Sequence, residues 1–244
     1  MSWIIPRREW EPLYQYIRSV VKLSFDRDQE AADLLSSILS GLPNTIEFDD
    51  LKRLQGGFKR AVVFGCGGNL LRDIETAREL SLLEDSLLVA SDGSTSILLL
   101  NSLTPSIVVT DLDGLAVDLW RASSTGSVTV IHAHGDNIPR IKEYTKGFKG
   151  PLIGSTQVEP RPHVYNFGGF TDGDRGVFVA VALGVREVYL AGFDLHGEPT
   201  PCPGKTASFN RELKRAKLKI ASRMLEYISS RKNVTIRRVG DVYE

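Results

Sequence analysis

Two hydrophobic patterns divide the chain near residue 58. Between about residues 10 and 54, apolar residues recur at a spacing of three to four, as in amphipathic helices; examples are Leu13, Ile17, Val20 and Val21, then Ala31, Leu34, Leu35 and Ile38. After Lys59, short apolar runs alternate with helical stretches. The pattern predicts an N-terminal helical region, residues 1–58, followed by an α/β domain, residues 59–244.

The short apolar runs have the length and spacing of buried strands. They are Ala61–Phe64, Leu87–Ala90, Ile107–Val109, Val128–Ile131, Leu152–Ile153 and Val188–Ala191. A last helix is predicted at about 207–229, before a β-like run at Val234–Ile236. Strands that alternate with helices favour a doubly wound, mostly parallel, Rossmann-like sheet with helices on both faces.

Polar turns, most of them with glycine, follow these runs and indicate where a ligand would bind. Phe64 leads into a glycine-rich turn, Ala90 into Ser-Asp-Gly, Val109 into Thr-Asp, and Ala191 into Gly-Phe-Asp. In doubly wound sheets the ligand lies outside the carboxyl ends of the strands, where such turns converge. We therefore expect one site at that edge of the sheet.

Three aspartates follow neighbouring strands and suggest a metal site. Asp92 precedes Gly93, and Asp111 and Asp113 are separated by one residue. Mg²⁺ prefers carboxylate, water and phosphate oxygens and usually takes one or two protein carboxylates. The alternative is that Asp111 and Asp113 cap the helix beginning near Gly114 and that Asp92-Gly93 is an ordinary turn. The clustering of acids favours a metal-assisted, phosphate-handling site.

The glycine-rich turn after the first strand precedes a helix. Backbone N–H groups of Gly65, Gly67, Gly68 and Asn69 could receive a phosphate or a nucleotide there. As a dinucleotide fingerprint the turn is incomplete, because no well-placed acid follows about 20 residues later. The alternative is a tight strand-to-helix turn without a ligand.

Two further loops carry candidate substrate contacts. In residues 167–176, Thr171, Asp172 and Asp174 are helix N-cap candidates, and the three glycines there also suit a loop that covers a substrate. In the other loop, His134 lies beside Asp136 and Asn137, either in hydrogen bonds within the loop or in contact with substrate.

Two lysines interrupt the apolar side of the last helix. At 100° per residue, Lys214 and Lys217 fall inside the apolar arc, whereas Arg215 and Lys219 lie opposite. Either their stems extend from the edge of the core to water, or both ammonium groups face a buried anion. Geometry alone leaves both open.

Composition narrows the function classes. Lys plus Arg and Asp plus Glu are equal at 30 each, so no global field attracts nucleic acid or an anionic membrane. Cys66 and Cys202 lie far apart in the sequence without a paired-cysteine motif, and residues 1–8 lack an apolar signal core. No apolar run approaches the roughly 18 residues of a membrane span. A cytoplasmic protein without nucleic-acid or membrane partners is expected.

With these residues identified, the sequence resembles the archaeal-type 6-hydroxymethyl-7,8-dihydropterin pyrophosphokinases, which are related to thiamine pyrophosphokinases. The motifs that carry the resemblance run through nearly the whole chain: Val63-Phe64-Gly65-x-Gly67, Ser91-Asp92-Gly93, Val108-Val109-Thr110-Asp111-Leu112-Asp113-Gly114, His132-Ala133-His134-Gly135-Asp136-Asn137, Gly169-Phe170-Thr171-Asp172-Gly173-Asp174-Arg175, Ala191-Gly192-x-Asp194 and the lysine-bearing last helix. One departure is Gly68-Asn69 in place of a Pro-Ser pair, which bears on the first phosphate contact and not on the metal site.

The resemblance implies transfer of the terminal diphosphate of ATP to the pterin hydroxymethyl group, with release of AMP, in folate or methanopterin biosynthesis. It implies a thiamine pyrophosphokinase-like fold and a Mg²⁺ ion held by Asp111, Asp113 and Asp92. Contacts to ATP and its phosphates are then expected from Gly65, Gly67, Gly68, Asn69, Asp92, Gly93, Arg175, Lys214 and Lys217. Contacts to the pterin are expected from His134, Asp136, Asn137, Thr171 and Asp172. For the oligomeric state, the sequence allows a homodimer as one form.

Two other functions compete with this expectation. An Asp-x-Asp pair also holds the metal of nucleotide-sugar transferases, which would turn over a sugar nucleotide without ATP. A non-catalytic module would bind Mg-ATP tightly without turning over any pterin or thiamine substrate.

Overall fold

A computed structural model describes residues 3–195, 197–202 and 209–242. Helices α1 (Arg7–Val20), α2 (Phe25–Leu39) and α3 (Phe48–Gln55) come first. The remaining helices are α4 (Leu70–Glu79), α5 (Ser94–Leu100), α6 (Ala116–Ser124), α7 (Ile138–Tyr144), α8 (Asp172–Ala182) and α9 (Arg211–Lys232). Short 3₁₀ turns occupy Gly135–Asn137, Thr145–Gly147 and Val239–Asp241.

The described strands form one parallel sheet. They are β1 (Arg60–Phe64), β2 (Ser86–Ser91), β3 (Ile107–Thr110), β4 (Val128–Ala133), β5 (Leu152–Thr156), β6 (Val164–Tyr165), β7 (Glu187–Ala191) and β8 (Thr235–Arg238), in the order β6-β5-β4-β3-β2-β1-β7-β8. All neighbours run parallel. The predicted α/β class with a doubly wound parallel sheet is confirmed, because the strand order reverses between β1 and β7.

The predicted strands agree with the observed ones to within a few residues. Both faces of β3 and β4 are buried, so these strands consist of apolar runs rather than alternating residues. The two-residue strand β6 was not predicted, since it is too short to leave a pattern. The predicted start of the last helix near residue 207 falls outside the described residues, and α9 begins at Arg211.

The N-terminal helices share the hydrophobic core of the sheet. Ala31, Leu35 and Leu39 of α2 are fully buried in the same apolar cluster as the strands. The segment after α2 also bonds to β5, because Ile46 N–H donates to the Leu152 carbonyl at 2.8 Å. Helix α2 also contacts β5 and the 3₁₀ turn that follows β4. None of the described helices combines the length and apolarity needed to cross a bilayer.

Candidate active site

A cavity of about 630 Å³ opens at the carboxyl ends of the strands. The turns after β1, β2, β3, β4, β5 and β7 contribute to its wall, together with the first turns of α8 and α9. Residues 20–23, which link α1 to α2, line it from the other side. The cavity thus lies at the carboxyl ends of the strands, where the sequence predicted a ligand site.

The glycine turn after β1 packs against the turn after β7. Gly65 N–H donates to the Ala191 carbonyl and Gly67 N–H to the Gly192 carbonyl, each at 2.8 Å. A Cβ on Gly65 would lie 2.7 Å from the Gly192 oxygen, so glycine is needed for the approach of two backbones. These amides are already used, which favours the tight-turn alternative, although Gly65 and Gly67 still line the cavity.

The next two residues of that turn are not part of the cavity wall. Gly68 and Asn69 are not among its lining residues. Asn69 Nδ2 donates instead to the Asp73 carboxylate of α4 at 2.7 Å, and Asp73 accepts from Gly192 N–H at 2.8 Å. A phosphate contact from the backbone N–H groups of Gly68 or Asn69 stays a prediction.

Four aspartates meet in the centre of the cavity. One carboxylate oxygen from each of Asp92, Asp111, Asp113 and Asp172 lies within 4.8 Å of the others. We call these four residues the acidic cluster. The sequence predicted that Asp172 contacts the pterin. In the structure Asp172 is the first residue of α8 and lies with the other three aspartates. Carboxylates this close repel one another unless a cation lies between them, and such hard oxygen donors fit a divalent ion.

Local backbone geometry holds the cluster in place. Asp92 is 1% exposed, its N–H donates to the Val109 carbonyl at 2.7 Å, and Thr110 Oγ1 donates to its carboxylate. Leu112 takes a left-handed conformation, with φ of 67°, and its N–H donates to Thr110 Oγ1 at 2.8 Å. This turn brings Asp111 and Asp113 to the same side. Thr110 was missed because threonine at a strand end is unremarkable in sequence.

Gly114 leaves room for the most buried member of the cluster. A Cβ at this position would lie 2.8 Å from Oδ2 and 3.1 Å from Cγ of Asp92. The glycine of the Asp-Leu-Asp-Gly motif is thus explained by close packing against a carboxylate. Gly93, in the neighbouring turn, lines the cavity as predicted.

Lys214 and Lys217 both line the cavity that contains the acidic cluster. The first turn of α9 is held by Asn210, whose side chain accepts from Leu213 N–H at 3.0 Å, so the helix begins at the cavity. Arg215 lies on the other side and bonds Glu198 at 2.7 Å. Both lysines are therefore close enough to contact an anion in the cavity. Their contact with phosphate stays a prediction.

Comparisons with known proteins agree with this geometry. Residues 36–198 match the family model described as 6-hydroxymethylpterin diphosphokinase MptE-like. Similar proteins named 6-hydroxymethyl-7,8-dihydropterin pyrophosphokinase come from Pyrococcus furiosus, with 39% identity over 94% of this chain and 95% of that one, and Methanothermobacter thermautotrophicus, with 36% identity over 91% and 96%. A third, from Methanocaldococcus jannaschii, is 33% identical over 92% and 96%.

The chain belongs to the MptE-like family. Among solved structures, one similar fold is a Maf glycosyltransferase from Magnetospirillum magneticum, with 18% identity, a TM-score of 0.47, and coverage of 84% of this chain and 36% of that one.

In this MptE-like chain, two polar residues assigned to substrates serve the scaffold instead. Asn137 is fully buried, and its Nδ2 donates to the carbonyls of Asp111 and His132 at 2.8 and 2.7 Å. Its Oδ1 accepts from His134 N–H at 3.0 Å. Every polar group of the amide is therefore engaged, and Asn137 fixes the backbone beneath the acidic cluster rather than contacting a pterin.

Arg175 is the second such residue, since it is fully buried and does not line the cavity. It donates to the carbonyls of Gly168 and Phe170 at 3.0 and 3.2 Å and contacts His132 Nε2 at 3.1 Å. Burial lowers the pKa of the guanidinium to about 10, still above neutral pH. The direct phosphate contact expected of Arg175 is thus replaced by support of the loop before α8.

The N-terminus of α8 is capped as expected. The Asp174 carboxylate accepts from Phe170 N–H at 2.7 Å and Thr171 N–H at 2.8 Å, and it also accepts from the Thr171 hydroxyl. Burial raises the pKa of Asp174 against these hydrogen bonds. Thr171 also lines the cavity, as predicted. The cap fixes the position of Asp172, which follows directly.

The two histidines after β4 differ in role. Burial and the neighbouring Arg175 charge lower the pKa of His132 well below its usual value, so its ring is neutral and Nε2 accepts from the guanidinium. His134 lines the cavity, its Nδ1 accepts from Asp136 N–H at 3.3 Å, and its Nε2 lies 3.5 Å from Asp111 Oδ2. In that tautomer the Nε2 proton points to Asp111. His134 thus orients a member of the acidic cluster, while the Asp136 carboxylate is exposed at the cavity wall.

A disulfide joins Cys66 of the β1 turn to Cys202 before α9, with Cα atoms 5.4 Å apart. The sequence did not predict this bond, because the two cysteines lie 136 residues apart without a paired-cysteine motif. That part of the support for a cytoplasmic location is therefore lost. Both cysteines line the cavity, so the bond ties two of its walls together.

Proposed function

We propose that this chain transfers the terminal diphosphate of ATP to the hydroxymethyl group of 6-hydroxymethyl-7,8-dihydropterin, in folate or methanopterin biosynthesis. The products are AMP and the pterin diphosphate. The observation that carries the proposal is the convergence of the acidic cluster and two lysines on one cavity, in a chain 33–39% identical to proteins named for this substrate.

The residues present suit a Mg²⁺ ion as the cofactor. Asp92, Asp111, Asp113 and Asp172 offer only oxygen donors, which suit a hard divalent ion, and the two lysines line the same cavity, where an anionic substrate would bind. When bound, the ion would neutralise charge on the diphosphate oxygens.

The side chains then act by positioning and by electrostatics. In this proposal the pterin hydroxyl oxygen attacks the β-phosphorus, and the bond between that phosphorus and the oxygen that bridges it to the α-phosphorus breaks. AMP departs with the bridging oxygen, and the hydroxyl proton is released to solvent. Lys214 and Lys217 would bind phosphate oxygens and stabilise the charge that develops on them. His134 and Asn137 would hold Asp111 in place through its carboxylate and its backbone carbonyl. No covalent protein intermediate is needed.

Product analysis tests the proposal directly. The purified chain is incubated with Mg-ATP and 6-hydroxymethyl-7,8-dihydropterin, and the products are identified by mass and by phosphorus NMR. AMP with a diphosphorylated pterin is expected, and ADP with a monophosphorylated pterin would contradict it. Turnover of a sugar nucleotide without ATP would favour the transferase, and Mg-ATP binding without turnover of any pterin or thiamine substrate would favour a binding module.

Several expectations from the sequence stay predictions beside this proposal. We propose a cytoplasmic enzyme without nucleic-acid or membrane partners, and a homodimer is one assembly that size-exclusion chromatography with light scattering would identify. The division into residues 1–58 and 59–244 is likewise a prediction, which limited proteolysis would test.

A further inference from the structure

Gln157, directly after β5, is a cavity residue that the sequence interpretation did not assign. It is 2% exposed and lines the cavity. Its backbone carbonyl accepts from Trp10 Nε1 at 2.8 Å, which ties this turn to α1. An amide side chain held this firmly at a cavity wall offers a fixed pattern of donor and acceptor.

Asp28 of α2 sets the direction of that amide. Gln157 Nε2 donates to Asp28 Oδ2 at 2.7 Å. Asp28 is 3% exposed and also accepts from Gly135 N–H at 2.8 Å and from the Tyr14 hydroxyl at 3.2 Å. Because all three partners are donors, the carboxylate acts only as an acceptor. A flipped Gln157 amide would place its oxygen against a carboxylate, so the amide has one stable orientation.

One N–H of Gln157 is used by Asp28, which leaves one N–H and Oε1. Among the described residues, no other group pairs with this amide. A free N–H beside a carbonyl oxygen is complementary to a lactam, in which a ring N–H lies beside a carbonyl. The 2-amino-4-oxo ring of a pterin has such an edge, formed by N3–H and the 4-oxo group.

The position of Gln157 in the sheet fits the acceptor side of the reaction. The strand order places β1 and β7, with their glycine turns, on one side of β2 and β3, which carry Asp92, Asp111 and Asp113. On the other side lie β4 and then β5. Neighbouring strands are about 4.8 Å apart, so the end of β5 lies roughly 10 Å from the end of β3. That separation is comparable to a fused two-ring heterocycle with a one-carbon arm.

We infer that Gln157 recognises the lactam edge of the pterin and that Asp28 is the positioning residue that selects a 4-oxo over a 4-amino ring. The inference rests on the proposed function for the identity of the acceptor. It assigns α2 a role in specificity, because Asp28 belongs to that helix.

Binding measurements separate this inference from the proposed reaction. The affinity for 6-hydroxymethylpterin is measured by fluorescence or calorimetry without ATP, in the wild type and in Gln157→Met, which keeps side-chain length. Because Gln157→Met removes two hydrogen bonds and leaves the lactam of the pterin unpaired, we expect the affinity for the pterin to fall 10- to 100-fold. The affinity for Mg-ATP should be unchanged. Gln29→Ala is the control, since that amide lies on α2 beside Asp28 but bonds Asp33 and the Glu159 carbonyl.

Asp28→Asn tests the selection of the ring edge. Asparagine can donate to Gln157 Oε1 as well as accept from Nε2, so the amide can flip, and the preference for the 4-oxo ring over its 2,4-diamino analogue should fall at least 10-fold. Tyr14→Phe removes a different bond to Asp28 and should leave that ratio unchanged.

The outcomes are distinct. Pterin binding without diphosphate transfer would refute the proposed function and still test Gln157. An unchanged pterin affinity in Gln157→Met, a failure of the wild type to bind pterin, or an unchanged oxo-to-amino ratio in Asp28→Asn would overturn the inference.

Discussion

Gly114→Ala is the substitution with the most closely defined structural consequence. The new Cβ would lie 2.8 Å from Asp92 Oδ2, whereas ordinary contacts begin at 3.4 Å. The carboxylate would therefore have to move by about 0.6 Å, starting from the distance in the structure. It cannot do so freely, because Asp92 is 1% exposed and its carboxylate accepts from Thr110.

The expected effect on activity is large and the effect on the fold is small. A displacement of about 1 Å in a catalytic group can cost on the order of 100-fold in rate, so we expect turnover to fall about 10- to 100-fold. The apparent affinity for Mg²⁺ should fall as well. Overpacking costs about 1–3 kcal/mol, and loss of glycine from the unfolded chain offsets about 0.4–1 kcal/mol of it. The net loss leaves most domains folded.

Two measurements check this prediction. Turnover is followed as a function of Mg²⁺ at saturating substrates, and Mn²⁺ affinity is measured by electron paramagnetic resonance, which does not depend on turnover. Gly41→Ala is the matched control, because its Cβ would meet only the Ile38 carbonyl oxygen at an ordinary 3.6 Å. Turnover and metal affinity within two-fold of wild type in Gly114→Ala would refute the packing of Gly114 against a metal-binding Asp92.

Three other perturbations give further predictions. In kinetic assays, Lys217→Met should reduce turnover more than Mg-ATP affinity, because the lysine charge acts most in the transition state. Lys219→Met, on the exposed side of α9, should change neither quantity. Because the pKa of His132 is lowered in the folded state, the unfolded chain binds a proton first as the pH falls below about 6.5. Denaturant titrations should therefore show that the free energy of unfolding falls on acidification, by up to about 1.4 kcal/mol per pH unit, and that the slope is smaller in His132→Gln. Removing the disulfide by Cys66→Ser with Cys202→Ser should lower the free energy of unfolding by about 2–5 kcal/mol, and an unchanged melting temperature after reduction of the wild type would contradict this.

The site residues that directly follow predicted strands could be identified from the sequence. Buried parallel strands leave apolar runs, and Asp92 and Asp111 follow two of these strands directly, with Asp113 two residues further on. The sequence did not distinguish polar residues that face the cavity from those that support it. Asn137 and Arg175 have suitable donors, but their direction depends on the packing of neighbouring loops, which no local pattern encodes.

Residues that meet across long sequence separations were also missed. Asp172 looked like a helix cap because it opens α8, and only the position of α8 beside β3 brings it to the other acids. Gln157 follows a strand without a glycine or an acid beside it, so nothing in its surroundings distinguished it. The pairing of Cys66 with Cys202 depends on β7 lying next to β1, an order that alternation alone does not give.

The family match covers part of the cavity. The matched segment, residues 36–198, contains the whole acidic cluster and Gln157. It excludes Asp28, which would set the orientation of Gln157, and also Lys214 and Lys217 of α9. Two contacts join the flanking helices α1 and α9, since the Tyr227 hydroxyl donates to Glu9 and the Arg223 guanidinium lies over the Tyr16 ring. Because Asp28 and Gln157 are the residues argued to select the acceptor ring, changes in acceptor preference among relatives should occur with changes at these two positions, while the four carboxylates stay the same.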